Sequence, residues 1–182
     1  ELEQALAKRR SERSFTGQAL TLEQISQLLW ACQGITEKAH PLRTAPSAGA
    51  LYPLELYVVK EDGPYHYRPQ RHELVRTLPD DLRPRLCQAA SAESAVAEAA
   101  IDIVIAAIYR RTGVKYGQRA TRYIHFEAGH AAQNLLLQAV ALGLGAVVIG
   151  AFSDEEEQRV LSLPRDHEPL YIIPVGYPNE NH

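Results

Sequence analysis

Apolar residues recur at helical spacing through Leu22, Ile25, Leu29 and Cys32, a pattern that predicts a helix. Thr21 with Gln24 three residues on makes a capping box at its start, and Gly34 stands where such a helix stops. A shorter helix is expected from Leu2 to about Arg9, with Lys8, Arg9 and Arg10 at its C-terminal end. From His40 to Pro53 the pattern breaks at prolines and small residues, which predicts a loop. Leu54 to Lys60 alternates as a strand does, and Tyr65 to Arg68 is its expected hairpin partner across the turn at Asp62-Gly63-Pro64.

Helical segments are expected around Arg71 to Thr77, Asp80 to Ala90 and Ser94 to Ala99. Ile101 to Ile108 is short, apolar and β-branched, the composition of a strand buried on both faces. The longest helix is predicted from about Thr121 to Leu142, roughly 33 Å at 1.5 Å per residue. Its Ala128, Gly129, Ala131, Ala132 and Ala139 admit a close neighbouring backbone. Gly143-Leu144-Gly145 ends it, a strand follows at Ala146 to Ile149, and Ser153 with Glu156 forms a second capping box for a helix to about Leu161. Leu170 to Gly176 reads as the closing strand, with Pro174 suggesting an edge position or a strand end.

A length of 182 residues, 46% of them hydrophobic, suits one globular domain, residues 1–182, and no repeat or linker divides it. Two cysteines, Cys32 and Cys87, are too few for a secreted disulfide framework, so a cytoplasmic setting is expected. No membrane span is expected, because the longest apolar stretch, Leu135 to Phe152, is broken by Gln138, Gly143, Gly145 and Gly150. Acidic residues number 22 against 19 basic ones, a balance that disfavours nucleic-acid binding.

Several chemistries fail at the level of motif. There is no GxxxxGK[ST] phosphate loop, and the Gly143, Gly145, Gly150 series follows a helix and precedes a strand, the reverse of a dinucleotide-binding turn. Glu127 and His130 form only half of a di-iron carboxylate motif, so no metal is expected. The acids Asp154 to Glu157 fit a first helical turn, where they complement the macrodipole. Three segments remain. Arg9-Arg10-Ser11-Glu12-Arg13 either satisfies the end of the first helix or grips an anion such as a phosphate. Pro46-Ser47-Ala48-Gly49-Ala50-Leu51-Tyr52 is either a plain connection or a loop whose small residues let backbone approach a flat ligand. Lys115-Tyr116 is either a surface pair or, where its surroundings shift a pKa, a source of a general base.

Taken in order, RRSERSF, RTAPSAGALYPLELYVV, YHYRPQRHEL, KYGQRATRYIHFEAGHAAQNLLLQAVALGLGAVVIGAF and LYIIPVGYP resemble the FMN-dependent nitroreductase superfamily. More narrowly they resemble its SagB/ThcOx-type branch, whose best-known members oxidise azolines in peptides. The resemblance implies an α+β nitroreductase-like fold, a mainly antiparallel central sheet surrounded by helices, and an intertwined homodimer with two FMN sites at the interface. It implies FMN phosphate and ribityl contacts from Arg9, Arg10, Ser11 and Arg13. Pro46, Ser47, Ala48, Gly49 and Tyr52 match the loop that approaches the flavin from the partner subunit, and Val148, Ile149, Gly150 and Ala151 match the turn along the isoalloxazine edge. Lys115 and Tyr116 match the dipeptide implicated in proton abstraction.

The implied activity is FMN-dependent oxidation of a peptide or small molecule. Two other activities remain open at this point. One is an NAD(P)H-dependent nitro or quinone reductase, with NAD(P)H as transient donor. The other is a flavin-binding module without turnover. A departure from the family pattern is the lack of a basic residue after the final GYP, in Asn179-Glu180-Asn181-His182.

Overall fold

A computed structural model describes residues 1–40 and 42–179 of the chain. The buried strand anticipated at Ile101 to Ile108 is the middle of the sheet, β6 (Ile101–Ala107), and all seven of its residues are buried. Around it lie β1 (Ile35–Glu37), β2 (Leu42–Arg43), β3 (Leu54–Lys60), β4 (Gly63–Arg68), β5 (Glu73–Arg76), β7 (Gly145–Ala146) and β8 (Glu168–Gly176). The helices are α1 (Leu2–Lys8), α2 (Leu22–Gln33), α3 (Arg83–Ala89), α4 (Ser94–Glu98), α5 (Tyr109–Tyr116), α6 (Ala120–Ala141) and α7 (Asp154–Leu161).

The six-stranded sheet runs β5-β4-β3-β6-β8-β7, and each of its strand pairs is antiparallel. Period-two alternation sorts its side chains into two cores. Ile101, Ile103 and Ile105 of β6, Leu54, Leu56 and Val58 of β3, and Ile173 and Val175 of β8 meet α2 and α6 on one face. Val104, Ala106, Tyr57, Val59 and Ile172 meet residues of α3, α4 and α7 on the other. The architecture is therefore α+β, a mainly antiparallel sheet between helical layers.

The capping box of α2 forms in full: Gln24 N–H donates to Thr21 Oγ1 at 3.2 Å, and Thr21 N–H donates to Gln24 Oε1 at 2.9 Å. At α7 only half of the expected box forms, with Glu156 N–H donating to Ser153 Oγ at 3.4 Å. The helix expected at Arg71 to Thr77 is instead strand β5. A turn at Pro69 to His72, with His72 at φ 49°, folds it back on β4 so that Tyr67 pairs with Leu74.

The loop expected from His40 to Pro53 contains β2, which pairs with β1, and a 3₁₀ turn at Ala48–Ala50. The strand expected at Ala146 to Ile149 is shorter, β7, followed by a single bridge between Ile149 and Ile172. Strand β8 lies one place in from the edge. Val147 N–H donates to Pro174 C=O, so the side of Pro174 without an N–H faces the two-residue edge strand. Among the described residues no helix is long and apolar enough to cross a membrane.

Candidate functional site

The long helix α6 organises the candidate residues into two groups. At its C-terminal end, Leu136, Val140 and Gly143 to Ala146 line a small cleft of about 140 Å³ together with Lys8, Arg9, Arg10, Glu12 and Pro178. The basic arm reaches this cleft because the chain after α1 runs beside the sheet edge. Ser11 bridges Ala146 in parallel fashion, and Glu12 N–H donates to Ala146 C=O at 3.0 Å. The arm and strand β7 are thus neighbours.

Arg10 Nη1 donates to the carbonyls of Ala7 and Arg9, so Arg10 does terminate the first helix. Arg9, Arg10 and Arg13 make no ion pair among the described residues. Of the turn residues, Ile149 exchanges both backbone hydrogen bonds with Ile172. Its N–H is therefore committed to the sheet, whereas Gly150 and Ala151 are exposed and Val148 is half-buried.

At the other end of α6, Tyr123, Phe126, Glu127 and His130 line a cleft of about 310 Å³ with Pro46, Ser47 and Ala48. Ser47 Oγ accepts a hydrogen bond from Tyr52 N–H at 2.9 Å and donates one to Glu127 Oε2 at 2.8 Å. Between those anchors Gly49 takes φ 64°, a left-handed conformation suited to glycine. A Cβ at Gly49 would sit 3.0 Å from Tyr116 Oη and 3.1 Å from Lys115 Nζ. The pair therefore hangs over the backbone of the loop, with Lys115 Nζ 5.5 Å from the Tyr116 ring centroid. The pair ends a separate helix, α5, that the sequence pattern did not reveal, because Thr112 is its one buried residue.

Glu127, which in the sequence reads as half of a di-iron motif, belongs to this site. Only 3% of it is exposed, and burial pushes its carboxyl up to about 7, against the opposing pull of the Ser47 hydroxyl and the Arg43 charge. Its Oε1 has no partner among the described residues. The available signal was its spacing: Ile124, Glu127, Ala131 and Leu135 share the buried face of α6, an unusual place for an acid.

The two groups lie far apart within one copy. Glu127 and Val140 are separated by roughly 20 Å along a straight helix. The chain brings together the arm with Gly143 to Ala146, and the loop with Lys115 and Tyr116, but not one pair with the other.

Comparison with known proteins places this architecture among α+β oxidoreductases of nitroreductase type. The family profile described as Nitroreductase family matches residues 6–177, and the chain belongs to that family. A Methanocaldococcus jannaschii protein bearing a nitroreductase name is 45% identical over 181 residues, covering 96% of this chain and 90% of its own. The crystal structure of a Ralstonia eutropha protein described as a nitroreductase superimposes with a TM-score of 0.88 at 29% identity, over 100% of this chain and 84% of that one.

Two structures share the fold at lower identity. The Escherichia coli microcin synthetase McbBCD complex with truncated pro-MccB17 bound has a TM-score of 0.81 at 22% identity, over 97% of this chain and 73% of that one. The Vibrio harveyi NADPH:FMN oxidoreductase complexed with NAD+ has a TM-score of 0.74 at 24% identity, over 99% and 69% respectively.

Proposed function

We propose that this chain is an FMN-dependent oxidoreductase of SagB/ThcOx type, working as a homodimer on a small molecule or peptide. The observation that carries the reading is the seat of Lys115 and Tyr116 directly over Gly49, on a loop held from below by Glu127. Hydride transfer from nicotinamide to flavin releases no proton, whereas oxidation of a substrate C–H bond leaves a proton that such a pair can take.

The residues present fit FMN. The arm offers guanidiniums without an ion-pair partner among the described residues, beside a cleft at the sheet edge, and these suit a phosphate. Gly49 presents bare backbone, and Gly150 and Ala151 offer N–H groups that make no hydrogen bond among the described residues. Arg9, Arg10, Ser11 and Arg13 would hold the phosphate and ribityl chain. Pro46, Ser47, Ala48, Gly49 and Tyr52 would border the ring system from the other copy, and Val148, Ile149, Gly150 and Ala151 would follow its edge.

FMN, when bound, supplies the acceptor for a hydride. Lys115 Nζ or Tyr116 Oη then takes the accompanying proton from the substrate, while Glu127 and Ser47 keep the loop in register beneath them. The separation of the two groups on α6 supports the dimer, since one copy's arm needs another copy's loop. Exposed Val114 (84%) and Phe126 (57%), on α5 and α6 beside the loop, are apolar surface that a second copy would cover. The two unpaired cysteines suit a cytoplasmic setting.

A second reading, an NAD(P)H-dependent nitro or quinone reductase, draws on the fold shared with the Vibrio harveyi enzyme. An absorbance spectrum of the purified protein, taken before and after anaerobic NADPH, tests both. Flavin bands near ~370 and ~450 nm that persist with NADPH are expected. Rapid bleaching would replace the dehydrogenase by the reductase. A colourless protein unable to take up FMN would overturn both.

A further inference from the structure

Helix α2 and the hairpin of β4 and β5 enclose a cleft of about 440 Å³, and none of the residues assigned to the flavin belongs to it. Leu22 and Ser26 of α2, Tyr67 of β4, Leu74 of β5 and His72 of the turn between the two strands are among its lining. Three polar side chains from three segments meet here. Ser26 Oγ and His72 Nε2 are 2.6 Å apart, and His72 Nδ1 lies 2.8 Å from Tyr67 Oη. The imidazole is thus held at both nitrogens, with a hydroxyl on each side.

Each member of the chain has its own support. Ser26 follows the buried Ile25 in the second turn of α2 and is half-buried. Tyr67 is only 2% exposed, and burial pushes its phenol up to about 12, so it stays neutral. His72 closes the turn that starts at Pro69, its N–H donating to Pro69 C=O at 3.2 Å. It takes φ 49°, and with that left-handed step its ring meets both α2 and β4. The ring is exposed, and so is its hydrogen bond to Ser26. A small molecule entering the cleft therefore reaches the hydroxyl and the imidazole directly, while Tyr67 stays behind them.

We propose that Ser26 and His72, with Tyr67 positioning the ring, form a hydrolytic site for esters of short aliphatic acids, separate from the flavin chemistry. A nucleophile, a base in hydrogen-bond reach of it and a third group that orients the base are the parts such catalysis requires. Ser26 Oγ attacks the ester carbonyl carbon as His72 Nε2 takes the hydroxyl proton. The bond from that carbon to the alkoxy oxygen breaks, and the alcohol leaves with the proton from Nε2. Water then attacks the acyl-serine, gives its proton to Nε2 and releases the acid, and the proton returns to Ser26 Oγ. While His72 is doubly protonated, Tyr67 Oη accepts from Nδ1–H, as a hydroxyl can. A phenol brings no negative charge to the imidazolium, unlike the carboxylate of a Ser-His-Asp triad, so the arrangement suits an ester and not the more resistant peptide amide. Exposed Leu22 and half-buried Leu74 offer the acyl chain an apolar surface.

Two measurements on the purified protein test this: hydrolysis of p-nitrophenyl butyrate, and labelling by a fluorophosphonate with the adduct located by peptide mass spectrometry. Saturable hydrolysis and a single adduct, on Ser26, are expected. Ser26→Ala, on a helix where alanine is well tolerated, should abolish the adduct and reduce hydrolysis to the rate without protein. His72→Asn keeps a residue at ease with positive φ and should lower kcat by roughly 100-fold. Tyr67→Phe should lower kcat several-fold at unchanged KM, because Tyr67 acts through the ring and not on the ester. If Tyr67→Phe does not fold, the other two variants decide. No adduct, an adduct on another residue, or hydrolysis unchanged in Ser26→Ala or His72→Asn would overturn the assignment. Neither readout involves flavin, so that result leaves the flavin reading standing, and a colourless protein labelled at Ser26 would do the reverse.

Discussion

Ser47 and Glu127, 80 residues apart in the chain, are joined by a hydrogen bond of 2.8 Å that ties the candidate flavin loop to the N-terminal half of the long helix. The hydroxyl also accepts from Tyr52 N–H, so one small side chain closes the loop on itself and fastens it to α6. Ser47→Ala removes both bonds. It should cost about 1–3 kcal/mol of stability, because a buried carboxyl and a backbone N–H lose their partner. The carboxyl of Glu127 should also rise above about 7, as the bond that favours its ionised form is lost. Urea denaturation of both proteins across a pH series reads the two effects together.

Glu157 is buried with both oxygens unpartnered among the described residues, and burial, with Asp154 adding to it, pushes its carboxyl up to about 9. The native protein keeps a proton that the unfolded chain releases above about 4.5, so stability falls as pH rises between those values. Asp102, fully buried on β6, is raised well above its ordinary value for the same reason and adds to the trend. Glu157→Gln should match the parent at about pH 5 and exceed it by on the order of 2 kcal/mol at about pH 9. A parallel pH profile in the two proteins would show that Glu157 does not carry the effect.

Lys115→Ala and Tyr116→Phe should each lower single-turnover flavin reduction by the true substrate, by roughly 100-fold for whichever group takes the proton. FMN affinity should stay within a few-fold, because the reacting atoms sit over Gly49 and not in the arm. Unchanged reduction in both variants would remove the pair from the chemistry.

Arg9→Ala should weaken FMN by roughly tenfold, or about 1.4 kcal/mol, while the dimer persists. Fluorescence quenching of added FMN, with sedimentation to follow the assembly, checks both halves of that statement. Unaltered affinity would take Arg9 off the phosphate.

Much of this was legible in the sequence because it depends on local pattern. The Thr21 capping box, the alternation of Leu54 to Lys60 and the apolar run of β6 each have a period or cap that acts within a few residues. Strand β5 was not legible, since Leu74 and Val75 sit among charges and only the pairing with β4 fixes their conformation. Helix α5 escaped because it is short and mostly polar, with only Tyr109, Thr112 and Tyr116 turned to the core. The site divided the same way. The arm, the loop and the Lys115-Tyr116 pair stand out as contiguous motifs, but the Ser47 bond to Glu127 exists only once distant segments have packed.

The placement of the two groups at opposite ends of α6 also reaches into genetics. If each catalytic centre takes its arm from one copy and its loop from another, a subunit damaged in the arm and a subunit damaged at Lys115 are defective in different halves. Co-expressed, they would form mixed dimers in which one centre inherits both defects and the other inherits neither. Two inactive alleles should thus complement one another, with random pairing restoring about a quarter of the centres.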